Sequence, residues 1–468
     1  MKFNRSIVFL LFLVIFFGEA LGQSIYQPKD HYDAQSQGLV ERIRAEGRKY
    51  SDPLPKNHGV IKDVIDESVE WHVEQISNGK FIKDPVWEKY INGIVDKIVN
   101  TTGVARPFKV FIVKNPSINA FCTPIGSLII NNGLLSRLNS EEQLTFVLAH
   151  EIAHWELEHI KRQIVNQMNT EGGKGAKKEV KKLSSGRISV QGIREIRRYM
   201  ERISKFSRDM ELEADSMAFL IYTKLRYDSH LAIETMDMLD SNYLYSPYYG
   251  SKLFKALDFE KFPFNTKWVT DDSNREFRIA AARVGPLSTH PELPVRKERL
   301  LNKIESSSSF FIDAPSAQFD KVKREAAMED IICAYEIDYY LDQSLYYALR
   351  LYNEDKTNSF VNEMITKILY RVSELKENGM FLVRSEIERT NKELYYVNTF
   401  LNNITDNEAL DLAFYFLNHK GNFDKRNEEH FMVLYEICGA TNRFKMQEMV
   451  KNGYRATFPK GKYLLRMY

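Results

Sequence analysis

Residues 143–160 read QLTFVLAHEIAHWELEHI, and their spacing predicts one helix carrying reactive side chains. Leu144, Val147, Leu148, Ile152 and Leu157 supply apolar contacts along it. Ser140 followed by Glu141, Glu142 and Gln143 is a helix start, because a serine oxygen accepts from an open amide and acidic side chains favour the positive end. The predicted helix runs to about Gln167. His150 and His154 are four residues apart and stack on one helical face, where neutral imidazole nitrogens bind a zinc ion. Glu151 is poorly placed as a ligand but well placed to hold a water and take its proton. The predicted chemistry is peptide-bond hydrolysis.

The 468-residue chain, 44% hydrophobic, is long enough to bury a substantial core in two or three domains. Charged residues make up 27% and the formal net charge is +2, so the overall balance disfavours nucleic acid as the main partner. At the N-terminus, Lys2 and Arg5 precede an apolar run from Ile7 to Phe17, then Gly18, Ala20 and Gly22. This pattern reads as an export signal over residues 1–22, cleaved rather than retained as an anchor. No later segment has the uncharged length of a bilayer span, so the expected mature chain carries none. Cys122, Cys333 and Cys438 are too sparse for a disulfide scaffold, although an exported chain could pair two of them. Cys122 as a nucleophile is the weaker reading, since no activating base lies near it in sequence.

Residues 23–59 form a polar N-terminal extension with an extended or turning stretch, YSDPLPKNHG. Two helices are expected between residues 60 and 100, and strands at FKVFIVKN and GSLIINNG. Residues 168–192 are basic and glycine-containing and read as a solvated surface loop. Beyond about residue 318 the pattern is almost wholly helical, with the style of degenerate tetratricopeptide repeats but no clean 34-residue period. The expected fold is α+β and mainly helical: a zincin-like domain with a short sheet over residues 60–305, then an all-helical, repeat-like domain over 318–468.

A metal holding a catalytic water needs a third protein ligand. His159 is expected on a different turn from His150, and Leu157 stands where a metzincin requires glycine. In ELEAD, residues 211–215, Glu211 and Asp215 share a helical face, so one can reach the metal while the other orients an imidazole. Glu211, Glu213 and Asp215 all compete for the ligand role. Salt bridges to nearby Arg202, Lys205 and Arg208 are the bland alternative.

Four segments, NAFCTPIGSLIINNGLL (119–135), HEIAH (150–154), SRDMELEADSMA (207–218) and THPELPVRKERL (289–300), together resemble the M48 family of zinc metallopeptidases and follow that family's order. The resemblance implies one zinc ion per chain, held by His150, His154 and Glu211, with Glu151 as general base and Asp215 as the partner of a ligand imidazole. It further implies that His290 stabilises the oxyanion and that Arg296 organises the carboxylates. An extended peptide substrate would add to the family's edge strand at Asn119, Ala120, Phe121, Gly126, Ser127 and Leu128. Ile125 stands where many relatives have glycine. Lacking membrane spans, the chain is closest in style to the soluble, exported BepA-like members.

The resulting expectation is a zinc endopeptidase of the bacterial cell envelope, periplasmic or peripheral to a membrane, acting on misfolded or unassembled proteins. The alternatives are a narrow-specificity processing protease, and a chaperone or scaffold that binds envelope proteins through its helical domain.

Overall fold

Lys109–Val113, dense in β-branched and aromatic side chains, is the centre of a five-stranded sheet. In chain order the strands are β1 (Asp30–His31), β2 (Phe81–Lys83), β3 (Lys109–Val113), β4 (Ala120–Cys122) and β5 (Ser127–Asn131), arranged β1-β2-β3-β5-β4. The computed structural model describes residues 25–52, 59–103, 108–168, 208–240, 249–270, 293–304, 316–337, 340–382 and 391–467. The expected export signal, most of the loop at 168–192, and His290 lie outside these residues.

β3 and β5 run parallel, with Lys109 opposite Ser127 and Val113 opposite Asn131, while β4 returns antiparallel along β5. The β4–β5 turn is Thr123-Pro124-Ile125-Gly126. Gly126 donates its N–H to the Thr123 carbonyl at 2.8 Å and has φ 71°, a conformation glycine adopts without steric cost. β4 forms the outer edge of the sheet, with its far side unpaired among the described residues.

The helices around the sheet are α1 (Gln37–Ser51), α2 (Gly59–Ser77), α3 (Pro85–Thr102), α4 (Asn132–Arg137), α5 (Glu141–Glu156), α6 (His159–Met168), α7 (Arg208–Lys224), α8 (Ser229–Asp240) and α9 (Leu293–Ile304). α1 lies in the stretch expected to be a polar extension, ahead of all but the first two residues of YSDPLPKNHG. Its Leu39, Val40 and Ile43 are buried, and it approaches α2 so closely that a Cβ on Gly47 would sit 2.3 Å from a Val69 methyl. Three apolar positions on one face and a contact glycine suffice for a helix whose remaining surface is charged.

α5 begins at the expected cap, with Ser140 Oγ accepting the Gln143 N–H at 3.3 Å. Every residue from Gln143 to His154 is buried, which makes α5 the central helix. It does not continue to Gln167. The chain breaks at Leu157–Glu158, where Glu158 takes φ 52°, and α6 restarts at His159. A non-glycine residue in the left-handed region is sterically unfavourable, and here it separates two helices, so the residues beyond it no longer follow the periodicity of α5.

The C-terminal region is α10 (Ala317–Tyr335), α11 (Leu341–Glu354), α12 (Ser359–Glu377), α13 (Lys392–Asn403), α14 (Asp406–Asn418), α15 (Glu428–Ala440) and α16 (Phe444–Thr457). α11 packs on α10, α12 and α13, α12 packs on α14, and α15 packs on α14 and α16, while two 3₁₀ segments, Gly250–Leu257 and Thr266–Val269, add Phe254 and Trp268 to the same core. α10 belongs to both halves: Phe319, Val322 and Ala326 join the core of the sheet domain, whereas Met328, Ile331 and Ile332 join that of the helical region. Its Asp330 pairs with Arg137 of α4 at 2.8 Å and accepts from Asn132 and Ser136. Cys122, Cys333 and Cys438 are all buried and none is in a disulfide. No helix among the described residues is long and apolar enough to cross a membrane.

His430 of α15 is fixed as a neutral imidazole by its two neighbours. Its Nδ1 accepts the Asp424 N–H at 2.9 Å, so the ring proton is on Nε2, 2.9 Å from the Ser359 carbonyl. Burial lowers its pKa to about 4. The unfolded chain therefore binds the extra proton first, so this contribution is complete above about pH 6.5 and is lost as pH falls toward 4. We expect stability to drop by on the order of 3 kcal/mol over that interval from this group. Denaturant unfolding at several pH values should show the loss, and His430→Gln should flatten that part of the profile.

Candidate metal centre

α5 and α7 face one another across the middle of the sheet domain, and their inward side chains meet in a buried cluster. Nitrogen or oxygen donor atoms of His150, His154 and Glu211 lie within 4.8 Å of one another. His150 Nε2 is 3.5 Å from Glu211 Oε2, His154 Nε2 is 3.4 Å from Glu211 Oε1, and the two Nε2 atoms are 2.9 Å apart. Ligands about 2.0–2.1 Å from a tetrahedral zinc stand about 3.3–3.4 Å from one another. The two histidine–carboxylate distances match that spacing, and the nitrogen–nitrogen separation is tighter. Two imidazoles and one carboxylate are also the donor types of an open zinc site. The residues fit the ion.

Of the three acidic residues in ELEAD, the structure selects Glu211 for the cluster. Glu211 is fully buried, as is Asp215. Asp215 Oδ1 lies 3.0 Å from His150 Nδ1, on the ring edge opposite the donor nitrogen. Arg296, projecting from α9, binds both carboxylates: Nε and Nη2 meet the two Asp215 oxygens at 2.7 and 2.8 Å, and Nη1 meets Glu211 Oε2 at 2.8 Å. Burial alone would raise the Asp215 carboxyl, but its bonds to Arg296 and His150 hold it below the usual carboxylate range. Burial would likewise lower His150. Its contacts with Asp215 and Glu211 outweigh that and push it up to about 9 in the metal-free site. Glu151, one residue round the helix from His150, is 3% exposed.

Glu213 points the other way, to His159 and Arg162 on α6. Sequence spacing alone set His159 apart from the site. The break at Glu158 instead brings its Nδ1 to 2.9 Å from His154 Nδ1, and its side chain is fully buried. Only the presence of a further histidine five residues after His154 hinted at it, because a break in the helix cannot be read from helical periodicity.

The expected substrate strand is divided by the fold. Ala120 and Phe121 lie in edge strand β4, and the Asn119 carbonyl just before it accepts the Asn131 N–H at 3.0 Å. Gly126 is in the turn, and Ser127 and Leu128 belong to β5, which is paired on both sides. They support the edge rather than presenting one. Ile125 is buried beside α2 in the cluster that includes Ile61 and Ile65. Next to His154 a cavity of about 390 Å³ is lined by Tyr50, Ile61, Val64, Ile65, Pro124, Trp155 and Ile160, with Glu156, Glu158 and Lys161 completing its wall.

Comparison with known proteins bears on the metal-binding half. Residues 85–304 match the model of peptidase family M48. This segment is similar to peptidase family M48. The chain is 27% identical over 175 residues to a putative beta-barrel assembly-enhancing protease of Vibrio cholerae, covering 36% of each protein. It is 32% identical to protease HtpX of Legionella pneumophila, over 20% of this chain and 35% of that one. It is 26% identical to the mitochondrial metalloendopeptidase OMA1 of Arabidopsis thaliana, over 27% of this chain and 24% of that one. The chain thus spans about a third or less of the length of these relatives. His150, His154 and Glu211 form a buried metal-binding triad, with Glu151 completing the HExxH element beside it, consistent with a zinc metalloendopeptidase.

Arg296→Leu leaves two buried carboxylates without their common cation. Removing one partner of such a group costs about 3–5 kcal/mol, so denaturant unfolding of the zinc-free variant should show a loss of that order.

Proposed function

We propose that this chain is a zinc-dependent endopeptidase of the bacterial cell envelope, acting on misfolded or unassembled proteins held in extended form. The observation that carries the reading is the convergence of His150, His154 and Glu211 from two helices, with Glu151 buried beside them. The export pattern of residues 1–22 supports an envelope location. The style of a soluble BepA-like member, with a repeat-like helical region after the protease domain, supports an envelope-protein partner at that region. The Vibrio relative's name ties that protein to beta-barrel assembly, which favours outer-envelope proteins awaiting assembly as substrates here.

One zinc ion per chain, held by His150, His154 and Glu211, would supply Lewis-acid polarisation of the scissile carbonyl and lower the pKa of the attacking water. Glu151 takes the proton from that water and delivers it to the leaving amine. Asp215 orients His150, and Arg296 keeps Asp215 ionised in a buried setting while also pairing with Glu211. His290 is assigned to the developing oxyanion on the order of the sequence motifs. The backbone of Asn119–Cys122 offers an edge on which a peptide adds as a further strand, and Gly126, Ser127 and Leu128 hold that edge in place. The cavity beside His154 and Pro124 then receives an apolar side chain of the substrate, because its lining is mostly aliphatic and aromatic.

Glu151→Gln should retain zinc and lower cleavage of an unfolded protein by about 10²- to 10⁴-fold, measured at equal zinc occupancy. Cleavage unchanged in the variant would sink the assignment of the base. Absence of cleavage by zinc-loaded wild type would favour a chaperone or scaffold, and cleavage of one partner at one site would favour a processing protease.

Cleavage sites mapped on a denatured protein should be enriched in large apolar residues at one position. Filling the cavity with Val64→Trp should shift that preference toward small residues by about tenfold or more in relative kcat/KM. An unchanged site profile would remove the cavity from the substrate path.

A further inference from the structure

We infer that His159 is a positioning residue for the metal ligand His154, linking its outer ring nitrogen to Glu213 and Arg162. The inference rests on the zinc-site reading above and extends it to a residue outside the HExxH element. A histidine that offers Nε2 to a metal carries its proton on Nδ1, and that proton needs an acceptor. For His150 the neighbouring atom is a carboxylate oxygen, Asp215 Oδ1, at 3.0 Å. For His154 it is the Nδ1 of His159 at 2.9 Å.

Two nitrogens at that separation share a single proton. When His154 donates, His159 accepts at Nδ1 and bears its own proton on Nε2. That proton has a matching partner, since His159 Nε2 is 3.1 Å from Glu213 Oε2. Glu213 is in turn held by Arg162 Nη1 at 2.6 Å, one turn along α6 from His159. One tautomer of each ring thus satisfies the whole chain of contacts from the metal-facing edge of His154 to the surface.

Local geometry serves this arrangement. α5 ends and α6 begins across Glu158, at φ 52°, and in an unbroken helix a residue five positions beyond His154 would not face its ring. His159 is fully buried, while Glu213 and Arg162 are each nearly half exposed. The imidazole is therefore the part of the relay that the protein encloses, and the ion pair anchors it from outside. Glu213 is two residues from Glu211 on α7, so the same helix supplies a ligand on its inner side and the anchor of the relay on its outer side.

The test is zinc affinity, measured with the full-length chain by equilibrium competition against a chromophoric chelator, with zinc alone as the probe. Loss of a partner to a metal-bound histidine weakens binding about 10- to 100-fold, and that is the result expected for His159→Leu. His159→Gln should recover most of the affinity, because its amide places one acceptor and one donor much as the neutral imidazole does. Equal affinity of wild type and His159→Leu, or failure of His159→Gln to recover it, would overturn the inference, whatever happens to thermal stability. Nitrogen-15 spectra of the zinc-loaded wild type supply a check that needs no variant: His159 should be the Nε2–H tautomer, and an Nδ1–H tautomer overturns the relay. Wild type that binds no zinc would overturn the site reading and the relay together. Zinc binding without proteolysis, by contrast, leaves the affinity comparison decisive for His159.

Discussion

The guanidinium of Arg296 is the interaction on which the centre of this molecule depends. Glu211 and Asp215 are both withdrawn from water, and two carboxylates in such a setting would repel one another and favour protonation. Arg296 meets Asp215 through two nitrogens and Glu211 through a third. A planar, always charged fork can do this where an ammonium cannot. The contact also joins α9 to α7, and α7 packs on α5. The helix carrying the histidines, the helix carrying the third ligand and the helix carrying the cation are thereby held as one unit.

Around that unit the two histidines are oriented differently. His150 has a carboxylate at its outer nitrogen and His154 has a second imidazole. The first contact comes directly from α7, whereas the second requires the helix break at Glu158 and reaches α7 through Glu213. Both therefore tie α5 to α7, on opposite sides of the cluster. The relative placement of these two helices sets the donor geometry more than either helix does alone.

The helical region is coupled to the same framework through α10. One half of this helix fills the core behind the sheet and the other half opens the helical stack. Asp330 joins it to both ends of α4, which follows directly on β5, through Asn132, Ser136 and Arg137. β5 in turn carries edge strand β4, so the surface proposed to receive substrate and the surface proposed to receive a partner share a continuous run of packed elements.

Local sequence determined much of the site. A serine cap, two histidines one helical turn apart and a glutamate between them specify a helix with a metal-facing edge, since each depends only on neighbours within a few residues. The strands at 109–113 and 127–131 were legible for the same reason, as was the mainly helical character of the second half. Choosing Glu211 over Glu213 and Asp215 was different: the motif alone left them open, and the tertiary structure separates them by turning Glu213 outward and placing Arg296 against the other two. α1 escaped notice because its buried face is narrow and is completed by α2. His159 escaped because a single left-handed residue, Glu158, cancels the helical periodicity on which its placement was judged. Periodicity records which side chains share a face of one element; only the packing of elements decides which faces meet.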